Sequence, residues 1–176
     1  MEVRRIVTGR NAAGKSVVIS DGASPGERVL EHTPGFISSM LWRMDGTPDL
    51  TAGDTDPMLA GGSMVTGPGG SAFWIITFPP DSSMASVDWA AAGPEMAEAS
   101  PGIAERMEPE SPGMHQTPTI DYVTVIRGKL LLELDDGETV ELNPGDTVVQ
   151  RGTRHAWRNP TNEPAAISVV LLGAQT

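Results

Sequence analysis

Strand-forming runs and tight-turn signals alternate between Gly113 and Asn159, about every eight to twelve residues, and this spacing constrains the fold more than any other feature of the chain. From Thr119 to Ile126 the apolar residues Ile120, Val123, Val125 and Ile126 are all β-branched, and Gly128 follows where a strand would turn. Lys129 to Leu134 is a short apolar run closed by Asp135-Asp136-Gly137, and Asp-Gly between two such runs is a hairpin signal. Glu138 to Leu142 reads as the return strand. Asn143-Pro144-Gly145-Asp146 reads as a turn, because Pro presets φ and Gly tolerates positive φ. Thr147 to Gln150 resumes a strand that Gly152 ends. Short antiparallel strands at this spacing predict an all-β barrel or sandwich.

Period-two alternation gives these strands a chemistry. In an extended segment residues two apart share a face, so His115, Thr117, Thr119 and Asp121 lie on one side and Gln116, Ile120 and Tyr122 on the other. One face is therefore polar and titratable. His155 follows the Gln150-Arg151-Gly152 break, with Trp157 and Asn159 at further two-residue steps, and a closed barrel would bring it opposite His115.

At 176 residues the chain suits one domain of ordinary size. Its formal net charge of −11 excludes the basic footprint that nucleic acid or an anionic membrane surface requires. There is no cysteine, hence no disulfide framework and no thiolate metal site. No run approaches the roughly 20 apolar residues of a membrane helix, and MEVRRIVTGR lacks the apolar core of a signal peptide, so a cytoplasmic location is expected. Upstream strands are expected at Val3 to Val7, Ser16 to Ser20 and Ile37 to Arg43, then an aperiodic loop over 47–70. Ser71 to Phe78 is a strong strand stopped by Pro79-Pro80. Met84 to Met107 is rich in Ala, Glu and Met, but Gly93-Pro94 and Pro101-Gly102 are expected to cut it into short helical turns. His32 beside a Pro-Gly turn reads as a surface residue. Arg151, Arg154 and Arg158 read as a solvated basic face.

These motifs resemble the cupins. His115, Thr117, Asp121 and Gly128 fall at the H, H, E and G positions of the first cupin motif, G(X)5HXH(X)3,4E(X)6G. Gly145, Gly152, His155 and Asn159 resemble the second, G(X)5PXG(X)2H(X)3N, with Gln150 where Pro is usual and one residue fewer before it. Thr117 replaces the second His, Asp121 replaces Glu, and Pro109 stands in place of the leading Gly. The resemblance implies a double-stranded β-helix (jelly-roll) barrel over 71–176, with strands and loops of 1–70 packing on the barrel or on a dimer partner. A homodimer is expected, because exposed edge strands are normally covered.

The resemblance also implies one divalent metal, bound by His115 and His155 with Asp121 as the carboxylate. Two imidazoles and a carboxylate with open positions favour Fe(II), with Zn, Mn or Ni as further candidates. The expected substrate is a small organic carboxylate, enol or aromatic, lined by Thr117, Thr119, Gln150 and Trp157. Asp121 and the single tyrosine, Tyr122, are the candidate proton carriers, although alternation turns Tyr122 off the His115 face. A dioxygenase-type reaction is expected first. A non-redox decarboxylase, lyase or hydrolase is the alternative enzyme, and a non-catalytic small-molecule binder is the alternative outside enzymes.

Overall fold

The structure, a computed structural model, describes residues 2–51, 53 and 55–176; positions 52 and 54 of the expected loop, and residue 1, lie outside this set. Eleven strands occur among the described residues: β1 (Arg5–Arg10), β2 (Ser16–Gly22), β3 (Gly26–Val29), β4 (Ile37–Met44), β5 (Ser71–Phe78), β6 (Thr119–Arg127), β7 (Leu130–Glu133), β8 (Thr139–Leu142), β9 (Thr147–Arg151), β10 (Ala156–Arg158) and β11 (Ala165–Gly173). Helices α1 (Asp81–Met84) and α2 (Trp89–Ala99) lie between β5 and β6. None of the described helices is long and apolar enough to cross a membrane.

The fold is an all-β jelly-roll. A six-stranded sheet in the order β3-β4-β5-β11-β6-β9 faces a three-stranded sheet β10-β7-β8, while β1 and β2 form a separate ribbon. Two strands from before residue 70 therefore extend the large sheet, with β4 pairing antiparallel to β5. β11 lies at its centre, paired with β5 on one side and β6 on the other. Its nine residues AAISVVLLG bury Ala165, Ile167, Val169 and Leu171. β6 alternates strictly at its start: Thr119, Asp121, Val123 and Val125 are buried, while Ile120, Tyr122 and Ile126 are exposed. Inward residues of both sheets, among them Trp74, Ile76, Leu130, Leu132, Leu142 and Ile167, form one core.

The expected turns form where turn chemistry placed them. Asn143 O accepts from Asp146 N at 2.9 Å, and Gly145 takes φ +95°, which a side chain would disfavour. Leu134 N donates to Glu138 O at 2.8 Å across Asp135-Asp136-Gly137, with Asp136 at φ 56°.

One expectation is corrected. α2 runs unbroken through Gly93-Pro94. Pro94 removes one intrahelical hydrogen bond, but a local N-cap, tertiary hydrogen bonds at mid-helix and buried alanines hold the helix. Asp88 caps it by accepting from Ala90 N at 3.0 Å, and Ala92 and Ala99 are buried. The Glu95 carboxylate accepts from the backbone N–H groups of Glu31 and His32 at 2.6 and 2.8 Å. The helix is thereby pinned to the loop after β3.

Candidate functional site

His115 and His155 form an isolated antiparallel bridge, and their imidazole centroids stand 4.4 Å apart. Both residues are buried. Strand alternation delivers the first and the Gly152 turn the second. Below that turn, the Gln150 side-chain amide donates to Thr153 O at 3.2 Å and bonds the Thr153 hydroxyl, which shapes the segment leading into His155.

The tautomers follow from the partners of the rings. His115 Nδ1 lies 3.0 Å from Gly113 O and His155 Nδ1 lies 2.9 Å from Thr153 O. A carbonyl only accepts, so each Nδ1 carries the proton and each Nε2 keeps its lone pair. Burial lowers both basicities. Desolvation is the largest influence on His115, opposed by the Gly113 carbonyl and the charge of Glu108. Desolvation and then the neighbouring His115 bring His155 down to about 4. Both rings are neutral near pH 7.

Asp121 faces the same cavity. Its Oδ1 is buried and has no hydrogen-bond partner. Desolvation pushes its carboxyl up to about 6, against the opposing Thr119 hydroxyl. Thr117, where the cupin motif carries a second His, is buried, and its hydroxyl sits 2.7 Å from that of Thr119.

The cavity encloses about 780 Å³ between the sheets. Trp74, Ile76, Val123, Ile167, Val169 and Leu171 form its apolar walls. Met84, Trp89 and Met96 of the α1–α2 segment roof it, with Ile103 and Met107 beyond. Asn159 anchors the root of this roof. Its backbone N donates to Asp81 Oδ1 at 3.0 Å, its carbonyl accepts from Asp81 N at 2.8 Å, and its Nδ2 donates to Phe78 O and Glu163 O. The motif asparagine thus ties the end of β10 to the end of β5 and the start of the roof.

His115, Thr117, Asp121, His155 and Trp157 all line this cavity. Trp157 meets the His155 ring edge-on at 5.9 Å. The remaining expected site residues fall elsewhere. Thr119 points inward but sits beneath Thr117, and it borders a separate surface hollow near Arg151 and Ala174. Gln150 is buried under the Gly152 turn and bonded to Thr153, so it does not contact the cavity. Tyr122 is 54% exposed on the outer face of β6 and is not a proton carrier for this site. The roof residues were not identified from the sequence. The Met and Ala content of 84–107 was the available signal, and the Gly93-Pro94 pair obscured it.

The residues present fit a metal in part. Two neutral imidazoles, each with its Nδ1–H held by a main-chain carbonyl and Nε2 free, are the donor arrangement that metal-binding histidines adopt. However, among the described residues no three His, Cys, Asp or Glu side chains stand together closely enough to hold an ion. Asp121 is therefore not brought into a three-residue cluster with the two histidines.

Fold and site together define a single-barrel jelly-roll with a buried imidazole pair at the end of an apolar cavity. Residues 104–171 match the Cupin domain family. Over 174 residues the chain is 32% identical to the cupin-domain-containing oxidoreductase fogC of Aspergillus ruber, covering 97% of this chain and 72% of that protein. The chain belongs to the cupin superfamily. A second cupin-domain-containing oxidoreductase, virC of Hypocrea virens, is 28% identical over 173 residues, or 96% of this chain and 74% of that protein. A shorter stretch of 60 residues is 50% identical to oryzines biosynthesis cluster protein J of Aspergillus oryzae; it spans 34% of each chain, about a third of that relative's length.

Proposed function

We propose that this cupin is an oxidoreductase that acts on a small organic molecule inside the barrel, with one divalent metal, Fe(II) favoured, held by His115 and His155. The observation that carries the reading is the pair of buried, neutral imidazoles with free Nε2 atoms at the end of a cavity large enough for a substrate. The names of the relatives from Aspergillus ruber and Hypocrea virens, both cupin-domain-containing oxidoreductases, support the reaction class. A dioxygenase-type reaction is the specific form proposed.

When bound, such a metal supplies Lewis acidity and redox capacity at positions left open by the protein. The chain's own residues do the rest. The Gly113 and Thr153 carbonyls orient the two rings. The apolar walls and the α1–α2 roof shield the imidazole end of the cavity from bulk water only in part, and Trp157 restricts the space beside His155. Asp121, a carboxyl with a raised pKa and an unpartnered oxygen, is placed to take or return a substrate proton near neutral pH.

Elemental analysis after anaerobic loading with Fe(II) tests the proposal. The wild type is expected to hold about one equivalent of metal, and His115→Ala and His155→Ala to hold almost none while keeping the β-rich circular-dichroism spectrum. Equal metal content in all three proteins would remove the metal enzyme and leave a small-molecule-binding barrel.

A further inference from the structure

The charged and polar groups that meet the cavity restrict what it can bind. Among its described lining residues the charged side chains are Asp81, Glu108, Asp121 and Arg158. Three of these are engaged. Asp81 Oδ1 accepts from Asn159 N at 3.0 Å, Glu108 takes the Arg154 guanidinium through two contacts of 2.7 Å, and Arg158 Nε donates to Glu133 while its Nη1 donates to Pro112 O. The one cation on the described lining is thus already ion-paired to Glu133, with its Nη1 held by the Pro112 carbonyl. The remaining charge-bearing group, Asp121, is an acceptor whose Oδ1 is buried without a partner.

We infer that the cavity takes an uncharged, largely apolar molecule of drug-like size that carries one hydroxyl or N–H donor, received by Asp121. This rests on the reading of the barrel cavity as the substrate site and narrows the substrate class to exclude simple carboxylates. Three observations converge on it. The volume of about 780 Å³ lies within the range of about 300–1,000 Å³ typical of sites for such ligands. The walls are indole, phenyl, aliphatic and thioether groups, which reward apolar area and solvate no charge. Asp121 is the lining carboxyl that no cation or backbone N–H engages, and a ligand donor that meets it makes a hydrogen bond the protein leaves unmade. In the metal-free cavity a carboxylate ligand would meet another carboxyl and only a cation already paired to Glu133, in a protein of net charge −11. Discrimination of this kind is strong, because a ligand lacking the donor leaves a buried polar group unpaired.

The test uses the intact chain stripped of metal with chelator, so its result does not depend on the metal proposal. Binding of naphthalene, 2-naphthol and 2-naphthoate is measured at pH 7.5 by equilibrium dialysis. The expected order is 2-naphthol tightest, naphthalene weaker, and 2-naphthoate at least tenfold weaker than 2-naphthol. Asp121→Ala should bring 2-naphthol to within about threefold of naphthalene while naphthalene affinity holds, which also reports an intact cavity. Equal or tighter binding of 2-naphthoate, failure of all three probes to bind, or a 2-naphthol preference that survives Asp121→Ala would overturn the inference. Should Asp121→Ala not fold, the wild-type ranking of 2-naphthol against 2-naphthoate alone decides. A failed ranking in a protein that still loads one metal through its histidines would discard the substrate class and leave the metal reading in place.

Discussion

His115 and His155, forty positions apart in the chain, donate their amide N–H groups to each other's carbonyls at 3.0 Å in both directions. The bridge fixes backbone against backbone, so the two rings stay neighbours whether or not anything binds them. The barrel therefore presents a preformed imidazole pair, and the ordering cost of bringing two ligands together is met by folding itself.

The first prediction concerns metal retention. Since both histidines resist protonation more than free imidazole, proton competition at the rings should set in only below the ordinary value near 6.5. Metal bound to the wild type, followed by elemental analysis of dialysed samples, is expected to persist at pH 6 and be lost towards pH 4. Asp121→Asn should weaken binding less than either His→Ala change, because Asp121 stands apart from a three-residue cluster. Thr117→His should tighten binding by adding a donor at the motif position. Loss of half the metal already at pH 6.5 would contradict the neutral, buried rings.

Stability against pH should show two opposing slopes in the metal-free protein. The Asp121 carboxyl is raised to about 6, so its contribution is full below the ordinary carboxylate range and disappears as pH rises through about 6. The His155 ring is lowered to about 4, so its contribution is full above about 6.5 and disappears as pH falls through about 4. Between pH 4 and 6 the two offset each other. Asp121→Asn removes one side of the balance, and on acidification from pH 6.5 to 4 it should lose roughly 2–3 kcal/mol more than the wild type, read from urea midpoints. Parallel curves for the two proteins would refute it.

Gly128 closes the turn between β6 and β7 at φ +67°, where a Cβ would lie 2.8 Å from Ala165 Cα and from Pro164 O. Both obstacles are backbone and cannot rotate away. Gly128→Ala is expected to cost about 2 kcal/mol or more from backbone strain and overlap, lowering the thermal midpoint by several degrees. Gly137→Ala offers the comparison: its φ is similarly positive but no atom lies near the added methyl. A Gly128 variant no less stable than the Gly137 variant would show that the close approach to β11 does not matter.

We further propose that the chain is a homodimer through the outer face of the large sheet. Register places Phe73, Val170, Tyr122 and Val149 in one row across β5, β11, β6 and β9, and Phe73, Tyr122 and Val149 are exposed. The row ends at β9, an edge strand of the sheet. A second copy, bringing the same row, would cover an apolar stripe that carries no like charge along its length. Light scattering should give twice the chain mass of 18.5 kDa, and Tyr122→Glu with Val149→Glu should return the monomer without disturbing ligand binding. A wild-type monomer at micromolar concentration would end the proposal.

Local chemistry in the sequence determined much of this protein. Pro144-Gly145 and Asp136-Gly137 set turns because only certain residues accept their dihedral angles. Ser71–Phe78 formed the expected strand, bounded by Pro79-Pro80. Alternation placed His115, Thr117, Thr119 and Asp121 on one buried face and Tyr122 on the other. Alternation, however, says only in or out. It does not say which inward residues reach a cavity, and so Thr119 and Gln150, both buried, stay off its lining while Asp121 reaches it. Tertiary structure alone decided the rest. β11 reads as a nearly continuous apolar run with no polar alternation to reveal its central place, although in the fold Ile167, Val169 and Leu171 are buried and Ser168, Val170 and Leu172 less so. α2 overrides its own Gly93-Pro94 because Glu95, Asp88 and buried alanines hold it over the barrel mouth. Whether a carboxylate beside two histidines becomes their third partner is likewise set by sheet twist and side-chain reach, which no spacing of letters encodes.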